Sequence, residues 1–337
     1  MTNIYLHNNP IEWLLEDSDP SIKYLTRKEI LNDPNYDDDY KYLLESKAIN
    51  SRLKNKENIL GSTKQFDLFY KGSMWFFAEM VERGLDKRTG AIQKTAEFII
   101  QISQTNSGGF TLNWRPPVAL ACRTGDMVKY LLRAGYNDER VHKGIAWIAS
   151  NQRHDGGWLH CPLSGVCDQI KLVLFNQSGL GVQRDQDPHV TSCFYATIAC
   201  STALVEYRHI NGSHSYNDHI RKAADFFLQR SLFKNSENKP IKPKGSWNRD
   251  FRLLGYPVLS QYDILYGLIF IAKAGYFNDS RTREAFNIIM SKQNNDGSWN
   301  LENAQTGMLY AQNSKAPVGK KNKWVTLNVL RLLKYAL

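Results

Sequence analysis

Five cysteines, Cys122, Cys161, Cys167, Cys193 and Cys200, fall in the middle of this 337-residue chain, with His160 and His189 beside them in sequence. Thiolate and imidazole are the ligands zinc prefers, three or four of them in a tetrahedron, and four thiolates equally suit an iron–sulfur cluster. The odd number of cysteines argues against a disulfide framework. The candidate ligands are Cys122, Cys161, Cys167, Cys193, His160 and His189, with zinc as the expected cofactor and a cluster as the alternative. Three protein ligands would leave a position open to activate water, a thiol or a carbonyl; a fourth would make the site structural. Cys161-x5-Cys167 is not a recognised ligand pair, and reduced thiols packed as small apolar side chains account for the same residues. Cys200, deeper in its segment, reads as packing.

Asp126 and Asp263 are the candidate catalytic acids, and each also reads as a helix cap. Arg123 and Arg115 are suited to a diphosphate or a carboxylate, or to ordinary surface pairing. The aromatic residues Trp75, Tyr130, Phe194, Tyr195, Tyr262, Tyr266 and Trp324 are those expected to line a pocket for an apolar ligand. Their ring faces would stabilise a cation there. Packing as core is the other reading of each.

These residues must be positioned by repeated elements. The stretch from Cys122, CRTGDMVKYLLRAGYNDERVHKGIAWIASNQRHDGGW, matches the stretch from Tyr262, YDILYGLIFIAKAGYFNDSRTREAFNIIMSKQNNDGSW. Both run apolar helix, Ala-Gly-Tyr, Asp, Arg, second helix, Gln, Asp-Gly-x-Trp. Weaker copies end at Phe110 and at Gly245-Ser246-Trp247. Corner spacings of about 50 residues are those of a helix-pair repeat. The first helix of each pair is apolar all round and the second amphipathic, with Val141, Ile145 and Ile148 on one face. Gly135 and Gly275 suit left-handed C-terminal caps, and Asn137-Asp138 and Asn278-Asp279-Ser280 the caps that follow. A helical start at 21–50 and a final helix at 324–335 complete about six pairs. Inner helices that each begin after a corner would gather Cys122 and Cys193 at one end of the array, with Cys161 and Cys167 in the loop between them.

The corners Gln152-Arg153-His154-Asp155-Gly156-Gly157-Trp158 and Gln293-Asn294-Asn295-Asp296-Gly297-Ser298-Trp299 resemble the Gln-Trp repeat motif of terpenoid cyclases and protein prenyltransferases, over residues from about 60 to the end. That resemblance implies an all-α fold, an (α/α)6 toroid forming a single domain over 1–337, and an apolar, isoprenoid-like substrate in a central cavity. The chain departs from the family in its chemistry. The Asp-x-Asp-Asp acid motif of the cyclases has only Asp185-Gln186-Asp187-Pro188 as a match, and Cys167-Asp168 only loosely matches the Asp-x-Cys zinc element of the prenyltransferases. His189 and Cys193 are present, but in a shifted register. Lanthionine cyclases, similar toroids, hold zinc with two Cys and a His. A non-catalytic ligand- or protein-binding toroid, with a structural metal or none, is the alternative function.

Composition bounds the rest. At 42% hydrophobic and 23% charged residues the chain is globular rather than disordered. No apolar run is long enough to span a membrane, and the first residues do not read as a secretory signal, so a cytoplasmic protein is expected. The net charge of +10 comes from scattered Lys and Arg without a nucleic-acid-binding module. A solvated surface rich in Lys and Asn accounts for most of it; nucleic-acid binding is not expected, and an anionic small substrate is compatible with it.

Overall fold

The computed structural model describes residues 6–16, 19–54, 72–111, 119–159, 189–241, 250–258, 261–304 and 317–336, and over them the chain is all-α. The N-terminal helices are α1 (Ile11–Leu15), α2 (Pro20–Leu25), α3 (Tyr36–Glu45) and α4 (Lys47–Lys54), with a π-helical turn over Thr26–Leu31 extending α2. Asp19 starts α2 by accepting from Ser21 N at 3.0 Å, with Pro20 in the first helical position, where its missing N–H costs nothing. Four pairs follow: α5 (Ser73–Glu82) with α6 (Gly90–Ser103), α7 (Ala121–Arg133) with α8 (Glu139–Ser150), α9 (Phe194–Asn211) with α10 (Asn217–Leu228), and α11 (Ile264–Ala274) with α12 (Arg283–Met290). A last helix, α13, spans Lys323–Ala336. Two short strands, β1 (Gly255–Tyr256) and β2 (Asn303–Ala304), pair in parallel.

The sequence pattern explains the pairing. α7 is buried from Ala121 to Leu132, whereas α8 buries Val141, Gly144, Ile145 and Ile148 and turns Glu139 and Lys143 to solvent. Between them Gly135 is left-handed (φ 89°), and the bonds Tyr136 N to Leu131 O and Gly135 N to Leu132 O close α7. Asp138 then caps α8 by accepting from Arg140 N and Val141 N. Gly275 and Asp279 do the same work after α11.

Each second helix ends in one corner geometry, built four times. The N–H of a first residue donates to the carbonyl four residues on, and the N–H of the fourth residue donates back to the first. This holds for Thr105 and Gly108, Arg153 and Gly156, Asn235 and Asn238, and Asn294 and Gly297. The fourth residue is left-handed every time, Asn238 (φ 58°) taking the place of glycine in the third copy. There Pro240 holds the position that Phe110, Trp158 and Trp299 hold elsewhere. The third corner therefore precedes Gly245-Ser246-Trp247, which lies outside the described residues.

In three of the four corners a glutamine fastens the turn to another segment. Gln104 Nε2 donates to Gly108 O (3.1 Å) and Arg140 O (2.7 Å), and Gln152 Nε2 donates to Gly156 O and His219 O (both 2.9 Å). Gln293 donates to Gly297 O and accepts from His7 N. Trp158 and Trp299 are fully buried, and their indole N–H groups donate to Ile148 O (2.9 Å) and Ile289 O (2.8 Å), so neither ring buries an unsatisfied donor.

The chain forms two compact units that interleave in sequence. One comprises Leu60–Phe226 with Leu259–Gln261; the other comprises Met1–Ile59, Phe227–Val258 and Tyr262–Leu337.

Candidate functional site

The corners set the register of the helices that carry the candidate residues. Backbone N–H groups of Phe110, Trp158 and Trp299 donate to the hydroxyls of Thr124 (2.8 Å), Thr197 (3.1 Å) and Thr326 (3.0 Å). Their carbonyls accept from Leu120 N, Cys193 N and Asn322 N, four residues before each threonine. In this register Cys193 matches Leu120 as the cap of α9, whereas Cys122 lies two positions further in and matches Tyr195 and Trp324. The two cysteines thus do not open their helices at one level. Cys122 is buried and Cys193 half-exposed.

In the unit containing α5 to α9, α7 and α9 meet backbone to backbone. A β-carbon on Gly125 would fall 2.4 Å from the carbonyl carbon of Ala199 and 2.5 Å from Cys200 N. Cys200 Sγ, fully buried, donates to Ala121 O at 3.2 Å, beside Cys122. Burial, then the proximity of Cys122 and Asp126, pushes the Cys200 thiol pKa up.

The same unit buries ionic side chains. Asp126, one of the two candidate acids, is not a cap. It lies inside α7, 4% exposed, and accepts from Lys129 Nζ at 3.2 Å. Lys129 is 1% exposed and also lies 4.2 Å from the centre of the Tyr130 ring. The Arg123 guanidinium lies 4.9 Å from the centre of the Trp75 ring, both side chains buried. On α5, Glu79 pairs with Arg83, again both buried. Glu82 accepts from Tyr130 Oη (3.2 Å) and Arg133 (2.9 Å), and Arg133 also donates twice to Glu206 of α9. Trp75 and Tyr130, two of the expected pocket aromatics, are therefore in contact with charged groups. Phe194 packs edge-on against Phe226 at 5.4 Å, and its neighbour Tyr195 is half-exposed.

In the other unit Asp263 is the cap of α11. Its carboxylate accepts from Tyr266 N (2.8 Å) and Gly255 N (2.9 Å), tying the helix to β1. Burial raises its pKa to about 6, outweighing those two hydrogen bonds and the Lys292 charge, which act in the opposite direction. Tyr262 belongs to the core: its ring stacks on Phe227 (5.4 Å, 4° between planes) and its hydroxyl donates to Leu232 O at 2.7 Å. Tyr266 is half-exposed. Trp324 stacks on Tyr256 at 4.5 Å and donates to Asp19 Oδ2 at 3.2 Å.

Cys161, Cys167 and His160 lie outside the described residues, as do Arg115, Asp168, Asp185 and Asp187. Among the described residues, no three His, Cys, Asp or Glu side chains are placed to hold a metal, Cys122, Cys193 and His189 included. The described part of the expected ligand set thus does not assemble a centre on its own. The sequence reading missed the three threonine anchors because loops of varying length separate them from their aromatics, leaving no fixed spacing to detect. No helix among the described residues is long and apolar enough to cross a membrane. Compared with known proteins, the chain matches no family model and no curated protein sequence.

Proposed function

We propose that the chain is a helix-pair repeat protein of the kind that terpenoid cyclases and protein prenyltransferases represent, its pairs closing into an (α/α)6 toroid. In this proposal it is an enzyme for an isoprenoid-like substrate, apolar along its length and anionic at its head. The observation that carries the proposal is the corner itself. At Phe110, Trp158 and Trp299 one combination of glutamine tie, left-handed glycine and threonine anchor recurs with the same hydrogen bonds. Arg123 supports the anionic head. It stands in the first turn of α7, where the helix N-terminus adds positive potential, and its guanidinium lies over the Trp75 ring.

The test is titration of the full chain with farnesyl diphosphate, farnesol and inorganic diphosphate, followed by tryptophan fluorescence. Saturable binding that needs both the chain and the diphosphate is expected. Arg123→Met should weaken it by about tenfold, the value of one charge-assisted hydrogen bond, while Arg123→Lys keeps most of it. Absence of binding by both prenyl compounds sinks the proposal. The second reading, a non-catalytic binding toroid, is favoured by one observation: Asp263 is engaged as a cap and Asp126 as an ion-pair partner. Chromatography of the incubated diphosphate separates the readings, because an enzyme consumes it and a binding module returns it unchanged.

A further inference from the structure

Cys122 and Cys200 are far apart in sequence but are brought together where α7 and α9 cross. Gly125 removes the side chain that would hold the helices apart, and the backbones touch at Ala199 and Cys200. Gly125 lies three residues after Cys122, on the same face of α7. Across the crossing, Cys200 Sγ is 3.2 Å from the carbonyl oxygen of Ala121. Standard peptide bond lengths then put that sulfur within about 6 Å of the Cys122 α-carbon. A disulfide needs its α-carbons about 4.4–6.8 Å apart, and a sulfur this near the facing α-carbon brings such a bond within reach. Neither cysteine is in a disulfide, and both are buried, at 2% and 0% exposure.

We propose that Cys122 and Cys200 form a redox pair, a dithiol that a small peroxide converts to a disulfide joining α7 to α9. In the first step one sulfur attacks hydrogen peroxide. The O–O bond breaks, a sulfenic acid forms, and water leaves with the thiol proton. In the second step the other thiol attacks the sulfenic sulfur. The S–S bond forms, the S–O bond breaks, and a second water departs. Two thiols are oxidised by two electrons and one peroxide is reduced to two waters. A cellular dithiol reductant reverses the change by thiol–disulfide exchange. The pair is independent of the proposed substrate, so prenyl diphosphate binding and cysteine oxidation succeed or fail separately.

The experiment exposes the folded full chain to hydrogen peroxide, alkylates the remaining thiols and maps the peptides by mass. A cross-linked peptide containing Cys122 and Cys200 is expected, lighter by two hydrogens and restored by dithiothreitol. Cys193→Ala should leave its yield unchanged, while Cys200→Ser should abolish it and leave Cys122 to accumulate as a trappable sulfenic acid. A bridge from Cys122 or Cys200 to another cysteine overturns the proposal. So does irreversible over-oxidation of Cys122 in the unaltered chain, or survival of both as thiols while Cys193 oxidises.

Discussion

Asp263 shows how burial and hydrogen bonding compete at one side chain. Its backbone donors favour the carboxylate, but desolvation prevails and raises its pKa to about 6, against an ordinary 3.8. The folded state therefore binds this proton more tightly than the unfolded chain does. The associated stability is complete below about pH 4 and is lost as pH rises through 6, a change of roughly 3 kcal/mol for such a shift. Urea unfolding at several pH values should show this decline, and Asp263→Asn should remove this contribution. Lys129 presents the opposite case, a buried cation with a buried partner. Lys129→Met should cost up to about 3–5 kcal/mol because it removes the cation paired with the buried Asp126 carboxylate, and Asp126→Leu added to it should recover much of the loss. Thermal unfolding of the two single variants and the double variant reads the coupling directly.

At the scale of elements, the corner is the unit of construction, and the left-handed glycines of corners and helix ends are not equivalent. Gly156 and Gly275 are both left-handed, but a β-carbon on Gly156 would fall 2.2 Å from Lys222 O while one on Gly275 meets nothing within 4 Å. Gly275→Ala should cost about 1 kcal/mol of backbone strain, and Gly156→Ala several times that, because α10 must move as well. Thr197→Val, which keeps the shape and strands the Trp158 N–H, should cost about 1–3 kcal/mol by denaturant titration. The helix pairs could be read from the sequence because their signals are local: a glycine after the first helix, an Asp cap before the second, and Gly-x-Trp at the end. The third corner could not, since Asn238 and Pro240 replace the two residues that mark the others. Its backbone is preserved without its signature.

For the molecule as a whole, the net charge of +10 should raise the encounter rate with anionic ligands. Stopped-flow association of farnesyl diphosphate should accordingly slow several-fold between about 0.01 and 0.15 M salt, as screening shortens the reach of the field. The candidate site was less legible than the fold. Cys122 and Asp263 were visible as residue types at helix starts, but the partners that define them were not. Cys200 read as packing, Asp126 as a catalytic acid or cap, and Arg123 as an anion ligand or surface pairing, because the burial of Arg123, Asp126 and Lys129 follows from their three-dimensional surroundings rather than from α7 alone. The same helix has a mechanical consequence. With no side chain between the backbones at Gly125, the crossing of α7 and α9 is a pivot. Cys200 stands at it and Cys122 three residues before it, and Arg133, gripping Glu206, lies beyond it, about 12 Å along α7 at the helical rise. A bond between the sulfurs would fix the helices at this pivot, so the grip of Arg133 on Glu206, further along the same two helices, is where the state of the thiols would be felt.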